Sequence, residues 1–235
     1  WRASLWPAWW CYTAQTMKQA RKSAAGSGSG ARPAFTARSA AVALLRAVTE
    51  GGRSLADTEA EAEAQGGALV ALSGPERATA ARLVRAALRH LARADALLAP
   101  HLQRKPSPHL RAILRLATVE MFQEDAPAHG VVGAAVGMAR HGKAGPAQAG
   151  FVNAVLRKVA ETAPEAWAAL SPQPLPGWLR GRIESAEGRA VMRAIEAAHA
   201  AGAPLDLTPR DGDAGALAAA VGGVALPTGS VRLAR

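Results

Sequence analysis

Cysteine is almost missing from this chain: Cys11 is the only one in 235 residues. One thiol closes no intrachain disulfide and builds no thiolate metal cluster. The expectation is a protein of a reducing compartment, the cytoplasm, with no metal site. Tyrosine and phenylalanine are scarce, at one and three residues, while alanine and leucine abound. That balance disfavours an extensive sheet and favours helices. No run of about 18 apolar residues occurs, so no membrane-spanning helix is expected. Acidic residues are absent from the first thirty positions, which carry Arg2, Lys18, Arg21 and Lys22.

The net charge is +10 and unevenly spread. Residues 31–163 hold 17 Lys/Arg against 11 Asp/Glu, and residues 164–235 hold 7 of each. The excess therefore sits on the tail and the first folded region. A localised basic surface points to a polyanion, most simply nucleic acid. A solvated, arginine-rich surface is the alternative, and composition alone leaves both open.

Residues 1–16 hold four of the six Trp without periodicity. Their cations follow the apolar stretch instead of preceding it, unlike a signal peptide. The stretch reads as upstream translation, with Met17 as the natural start. Residues 17–33 read as a flexible basic arm, so 1–33 as a whole is expected to be a disordered tail. Thr36 can cap a helix bearing Val42, Leu45 and Val48. Ser54 opens a short helix with Asp57 in the capping-box position, and its acids through Glu63 are expected to form a solvated face. Ser73-Gly74-Pro75-Glu76 starts a helix expected to run to about Ala99, before Pro100. There Val84, Leu88 and Leu91 share one face, while Arg82, Arg85, Arg89 and Arg93 form a basic stripe on another. A helix from Ser107 buries Leu110, Ile113, Leu114, Ala117 and Met121, with Arg111 and Arg115 beside them, and breaks at Asp125-Ala126-Pro127. The next carries small apolar residues from Val131 to Ala139 and is expected to be central. A basic turn at 141–146 leads to a helix with Phe151, Val152, Val155, Leu156 and Val159 inward. Residues 164–177 are proline-rich and read as a linker. Trp178, Leu179 and Ile183 then begin a helix, and Val191 to Ala200 make another. From Ala203 the text turns strand-like, without a sheet to join, and is expected to be weakly stable.

The stretch "AHGVVGAAVGMA…AGFVNAVLRKV", with "SGPERATAARLVRAALRHLARADALL" and "HLRAILRLATVEM", resembles the NusB-type RNA-binding fold over about residues 34–163. The segments "LPGWLRGRIESAEG", "PLDLTPRDG" and "LPTGSVRL" look like the N-terminal half of the RsmB/Sun (Fmu) ribosomal RNA cytosine methyltransferases. The resemblance implies an all-α NusB-like bundle, a linker at 164–177, and at 178–235 short helices with an incomplete α+β segment. It implies an RNA partner, small-subunit ribosomal RNA, and S-adenosylmethionine as cofactor of the full-length family. The catalytic half is not matched. Cofactor binding needs a glycine-rich strand-to-helix turn, and the only such run, Gly26–Gly30, follows no strand. Methylation at cytosine C5 needs a placed thiolate, and Cys11 lies outside the fold. No catalytic, cofactor or metal residue is therefore assigned, and the chain alone is expected to be inactive, as a truncated enzyme. A NusB-type antitermination factor, acting through RNA and a ribosomal-protein partner, is the alternative; a gene fragment without function is a third.

The expected RNA-binding residues are Arg82, Arg85, Arg89, Arg93, Lys143, Asn153, Arg157 and Lys158. Cations would take phosphates, and the Asn153 amide would pair with an unpaired base edge. Each has a plainer reading as surface or cap. Arg111 and Arg115 are evenly balanced between the two, and His129 reads as a structural residue opening its helix.

Overall fold

The computed structural model describes residues 36–64, 66–140 and 145–233. The Trp-rich stretch, Cys11, the basic arm with its Gly26–Gly30 run, and Lys143 lie outside these residues. Helix α1 (Ala37–Gly51) starts where expected: Thr36 and Ser39 exchange cap hydrogen bonds, and Gly52 closes the helix at φ 63°. Helix α2 (Leu55–Glu63) is capped by Ser54, whose hydroxyl accepts from the Asp57 N–H. Helix α3 (Gly74–Arg89) begins with the Glu76 carboxylate accepting from the Ser73 N–H at 2.9 Å. These local bonds satisfy donors that the first turn leaves open.

The helix read as continuous to Ala99 is in fact broken. His90, at φ −118° and ψ 21°, separates α3 from α4 (Leu91–Leu98), and a 3₁₀ turn (Ala99–His101) follows. The apolar spacing crosses the break unchanged, which is why the sequence hides it. Helix α5 (Pro108–Phe122) buries ten residues in a row but for Arg111 and Arg115, from Leu110 to Met121. It is the central helix, packed by α1, α3, α4, α6 and α7. Helix α6 (Ala128–Arg140), expected to be central, buries only Val131, Ala135 and Ala139. Small residues bring it close to α7 (Gly145–Ala160), but its other faces meet solvent.

The prolines of 164–177 do not make a free connector. Helix α8 (Pro164–Ala169) seats Trp167, 5% exposed, against Ala86, Ala94 and Val119. Phe122 stacks on the indole at 5.6 Å between ring centroids. A side chain this large buries more apolar area than the short helix could otherwise gain. The extended strap after it is pinned: the Gln173 side chain accepts from the Ala92 N–H at 2.8 Å, and Arg93 donates to the Leu170 carbonyl at 3.1 Å. Residues Gly177–Ala201 (α9) are two helical pieces broken at Gly188, φ 85°, matching the two helices read there.

The strand-like tail pairs with itself. Strands β1 (Asp206–Leu207), β2 (Val224–Ala225) and β3 (Val231–Arg232) form an antiparallel sheet in the order β1-β3-β2. An unforeseen helix, α10 (Ala214–Val221), capped by Asp213, lies between β1 and β2. A Cβ at Gly223 would sit 2.5 Å from a Val231 methyl, so glycine permits that close crossing. Val231 is the one fully buried residue of this small unit among the described residues, while Leu205 and Val224 stay exposed.

Candidate nucleic-acid interface

The arginine stripe on α3 and α4 is not the unopposed row that helical spacing describes. Acids from other elements reach it. Arg82 pairs with Glu124 beyond α5, and Arg85 donates to Glu59 of α2 at 2.9 Å. Arg93 holds the Leu170 carbonyl and lies over the Trp167 ring at 5.9 Å. Arg89 alone of the four is exposed with no bonded partner among the described residues. The acidic run of α2 is correspondingly more than a solvated face, since Glu59 and Glu61 hold Arg85 and Arg53. Arg111 and Arg115 are also committed, to Glu50 and to Asp95; Arg115 makes two bonds of 2.7 and 2.6 Å.

Helix α7 behaves differently. Phe151, expected inward, is only half-buried, because it sits at the edge of the helix's core face. Its ring, with Arg104, divides two shallow hollows. One, of about 430 Å³, adds Lys105, Ser107 and Gln148. The other adds His101, Gln103 and Lys158. Among the described residues, no carboxylate lines either hollow. The 3₁₀ turn and the segment 102–107 place Arg104 and Lys105 there, and both are exposed. Cations around an accessible aromatic face are suited to a nucleic-acid strand, whose phosphates take the charge while a base stacks.

The opposite flank of α7 forms a second groove with α6. Asn153 and Arg157, one turn apart, share it with His129, Val132, Val136 and Glu161. His129, read as structural, is exposed at this rim. The structure thus brings Asn153 and Arg157 together, puts Lys158 on the other flank, and ties Arg82, Arg85 and Arg93 into the fold. Arg104, Lys105 and His101 were missed. Their signal was present in "HLQRKPS", a cationic loop just before a helix start. Among the described residues, no three His, Cys, Asp or Glu side chains gather as a metal site, and no helix is long and apolar enough to cross a membrane.

A helical bundle with cations gathered on one helix and its neighbouring loop presents a surface suited to a polyanion. Its family profile identifies it: residues 36–161 match the NusB family, to which this chain belongs. The chain is also similar to ribosomal RNA small subunit methyltransferase B of Thermus thermophilus, at 41% identity over 152 residues. That alignment covers 62% of this chain and 34% of the relative, so the chain spans about a third of the relative's length. Among solved structures, T. maritima NusB is similar at 26% identity and a TM-score of 0.47, covering 59% of this chain and 99% of that one.

Proposed function

We propose that this chain is the RNA-binding portion of an S-adenosylmethionine-dependent methyltransferase acting on cytosine C5 of small-subunit ribosomal RNA in the cytoplasm. One observation carries the reading. The chain is 41% identical to the Thermus methyltransferase over 152 residues, and residues 36–161 match the NusB family. Likeness at that level to an enzyme that modifies ribosomal RNA favours the methyltransferase over an antitermination factor. In this reading residues 34–163 bind RNA, and methyl transfer is supplied outside the described residues. The RNA contacts are Lys158, Asn153 and Arg157 on α7, Arg89 on α3, Lys143, and in addition Arg104, Lys105 and Phe151. Arg82, Arg85 and Arg93 would join only by exchanging their present partners for phosphate.

The test is fluorescence anisotropy with a small-subunit ribosomal RNA hairpin across a salt series. Each neutralised phosphate releases counterions, so binding weakens with salt. Replacing Arg104, Lys105 and Lys158 together by Ala should lower the logarithmic salt slope by about three. Helicity should be unchanged, since none of the three side chains bonds to the fold among the described residues. Wild-type affinity and slope in that variant would remove RNA binding from this surface.

A further inference from the structure

A second basic site lies away from α7, where the bundle meets the helices beyond the strap. A cleft of about 760 Å³ opens between Ala92 and Ala96 of α4, the strap at Leu170 and Pro172, and Arg180 and Arg193 of α9. Its size is that of sites that take nucleotide-sized ligands. Two arginines line it against one carboxylate. Glu196, 6% exposed, accepts from the Leu175 N–H at 3.0 Å and from Arg180 Nε at 2.9 Å through the same oxygen. That pair fixes the Arg180 guanidinium at the cleft and leaves its remaining N–H groups available. Arg93 donates to the Leu170 carbonyl of the strap. Arg193 lines the cleft, is exposed, and bonds to no carboxylate among the described residues. By contrast the nearby Arg189 is neutralised by Glu184. The strap, pinned at Leu170, Gln173 and Leu175, holds both walls in one arrangement.

We infer that this cleft takes the phosphate backbone of a single RNA strand that extends beyond the α7 surface, with Arg193 as its principal cation and Arg180 as a pre-oriented second. The inference rests on the RNA-binding reading above. Guanidinium groups in a fixed fork suit phosphate oxygens, and two of them on one wall favour a run of phosphates over a lone anion. The strand is thereby carried from the bundle along α9, toward the part of the chain that follows.

The experiment uses this chain with labelled oligouridylates of about 4 and about 20 nucleotides, the first able to occupy only one site and the second able to bridge. Arg193→Ala should weaken the long strand about three- to tenfold and lower its salt slope by about one. The short strand, held at the Phe151 surface, should bind as before. Arg193→Lys should keep the slope, which separates lost charge from altered folding. An unchanged long-strand slope in Arg193→Ala overturns the inference, as does an equal loss on the short strand. The Arg104/Lys105/Lys158 variant runs in parallel. If it binds both strands like wild type, the RNA reading of α7 fails, whereas a loss there with none in Arg193→Ala rejects only the cleft.

Discussion

Two cationic surfaces of this molecule look alike in sequence and differ in structure. On α3 and α4, arginines recur at helical spacing, yet most are occupied: Arg82 by Glu124, Arg85 by Glu59, Arg93 by Leu170 and Trp167. On α7 and the segment 102–107, cations are less regular, yet the side chains of Arg104, Lys105, Arg157 and Lys158 have no bonded partner among the described residues. Helical spacing says which way a side chain leaves its own helix. Whether an acid waits for it depends on elements tens of residues distant. The first surface is thus organised for assembling the fold, and the second is available for a ligand.

The sharpest way to break this contrast is through Trp167. It is buried under Arg93 and between Phe122 and His90, and it anchors α8 and the strap. Trp167→Ala should cost roughly 3–5 kcal/mol in a urea titration, the usual range for an aromatic deleted from a core. RNA bound by the remaining folded protein, as a short strand, should keep its salt slope. A stable variant would mean that the α3–α4 surface does not depend on its docked helix.

Next in size is a pH effect from the same neighbourhood. Burial lowers the His90 pKa from 6.5 to about 4, helped by the positive charges of Arg93 and Arg89. Between those values the unfolded chain binds more protons than the folded one. Stability should therefore be full above pH 6.5 and fall as pH drops toward 4, by up to about 3 kcal/mol. His109, lowered by burial and Arg46 and opposed by its bond to the Met138 backbone, adds in the same direction. Glu61, Glu76 and Asp206, all held below the ordinary carboxylate range by hydrogen bonds, lose their contribution only at lower pH. Thermal melts of wild type and His90→Leu across pH 4–6.5 check this. The variant should retain only the shallow slope due to His109, and parallel curves would clear His90 of the effect.

What the sequence discloses here is mostly what is local. Thr36, Ser54 and the Ser73–Glu76 pair announce their helices because a cap and its partner lie three residues apart. The core faces of α1, α5 and α7 follow from apolar periodicity, and Asp125-Ala126-Pro127 marks a true break. The His90 break leaves no such trace, because the apolar pattern runs straight through it. Trp167 was read as part of a linker, since prolines dominate its surroundings and its pocket is built from α3, α4 and α5. The ion pairs of the stripe were invisible for the same reason: Glu59 and Glu124 sit 26 residues before Arg85 and 42 after Arg82. At the candidate interface, Asn153, Arg157 and Lys158 were legible from their place on α7. Arg104 and Lys105 show only as a cationic run in "HLQRKPS", because a loop has no periodicity to say which way it faces. The self-pairing of β1, β2 and β3 depends on Gly223 admitting Val231, a contact that no strand pattern encodes.

The smallest expected effect is the most discriminating. Arg85 and Glu59 form a partly exposed pair, with side chains 48% and 21% accessible. Removing such a pair costs less than about 1 kcal/mol, because water compensates much of the lost attraction. Its RNA consequence should be smaller still. For Arg85 to hold a phosphate it must first release Glu59, so the site gains an anion's attraction while uncovering another anion beside it. Arg85→Ala should therefore leave the salt slope for the ribosomal RNA hairpin unchanged. Arg89→Ala, on the same helix but without a partner among the described residues, should lower it by about one. The two variants share a helix, a residue type and a change in formal charge, so the comparison isolates the effect of the acid. A slope that falls equally in both would mean that RNA displaces Glu59 readily, and that the stripe on α3 is as much a binding surface as α7.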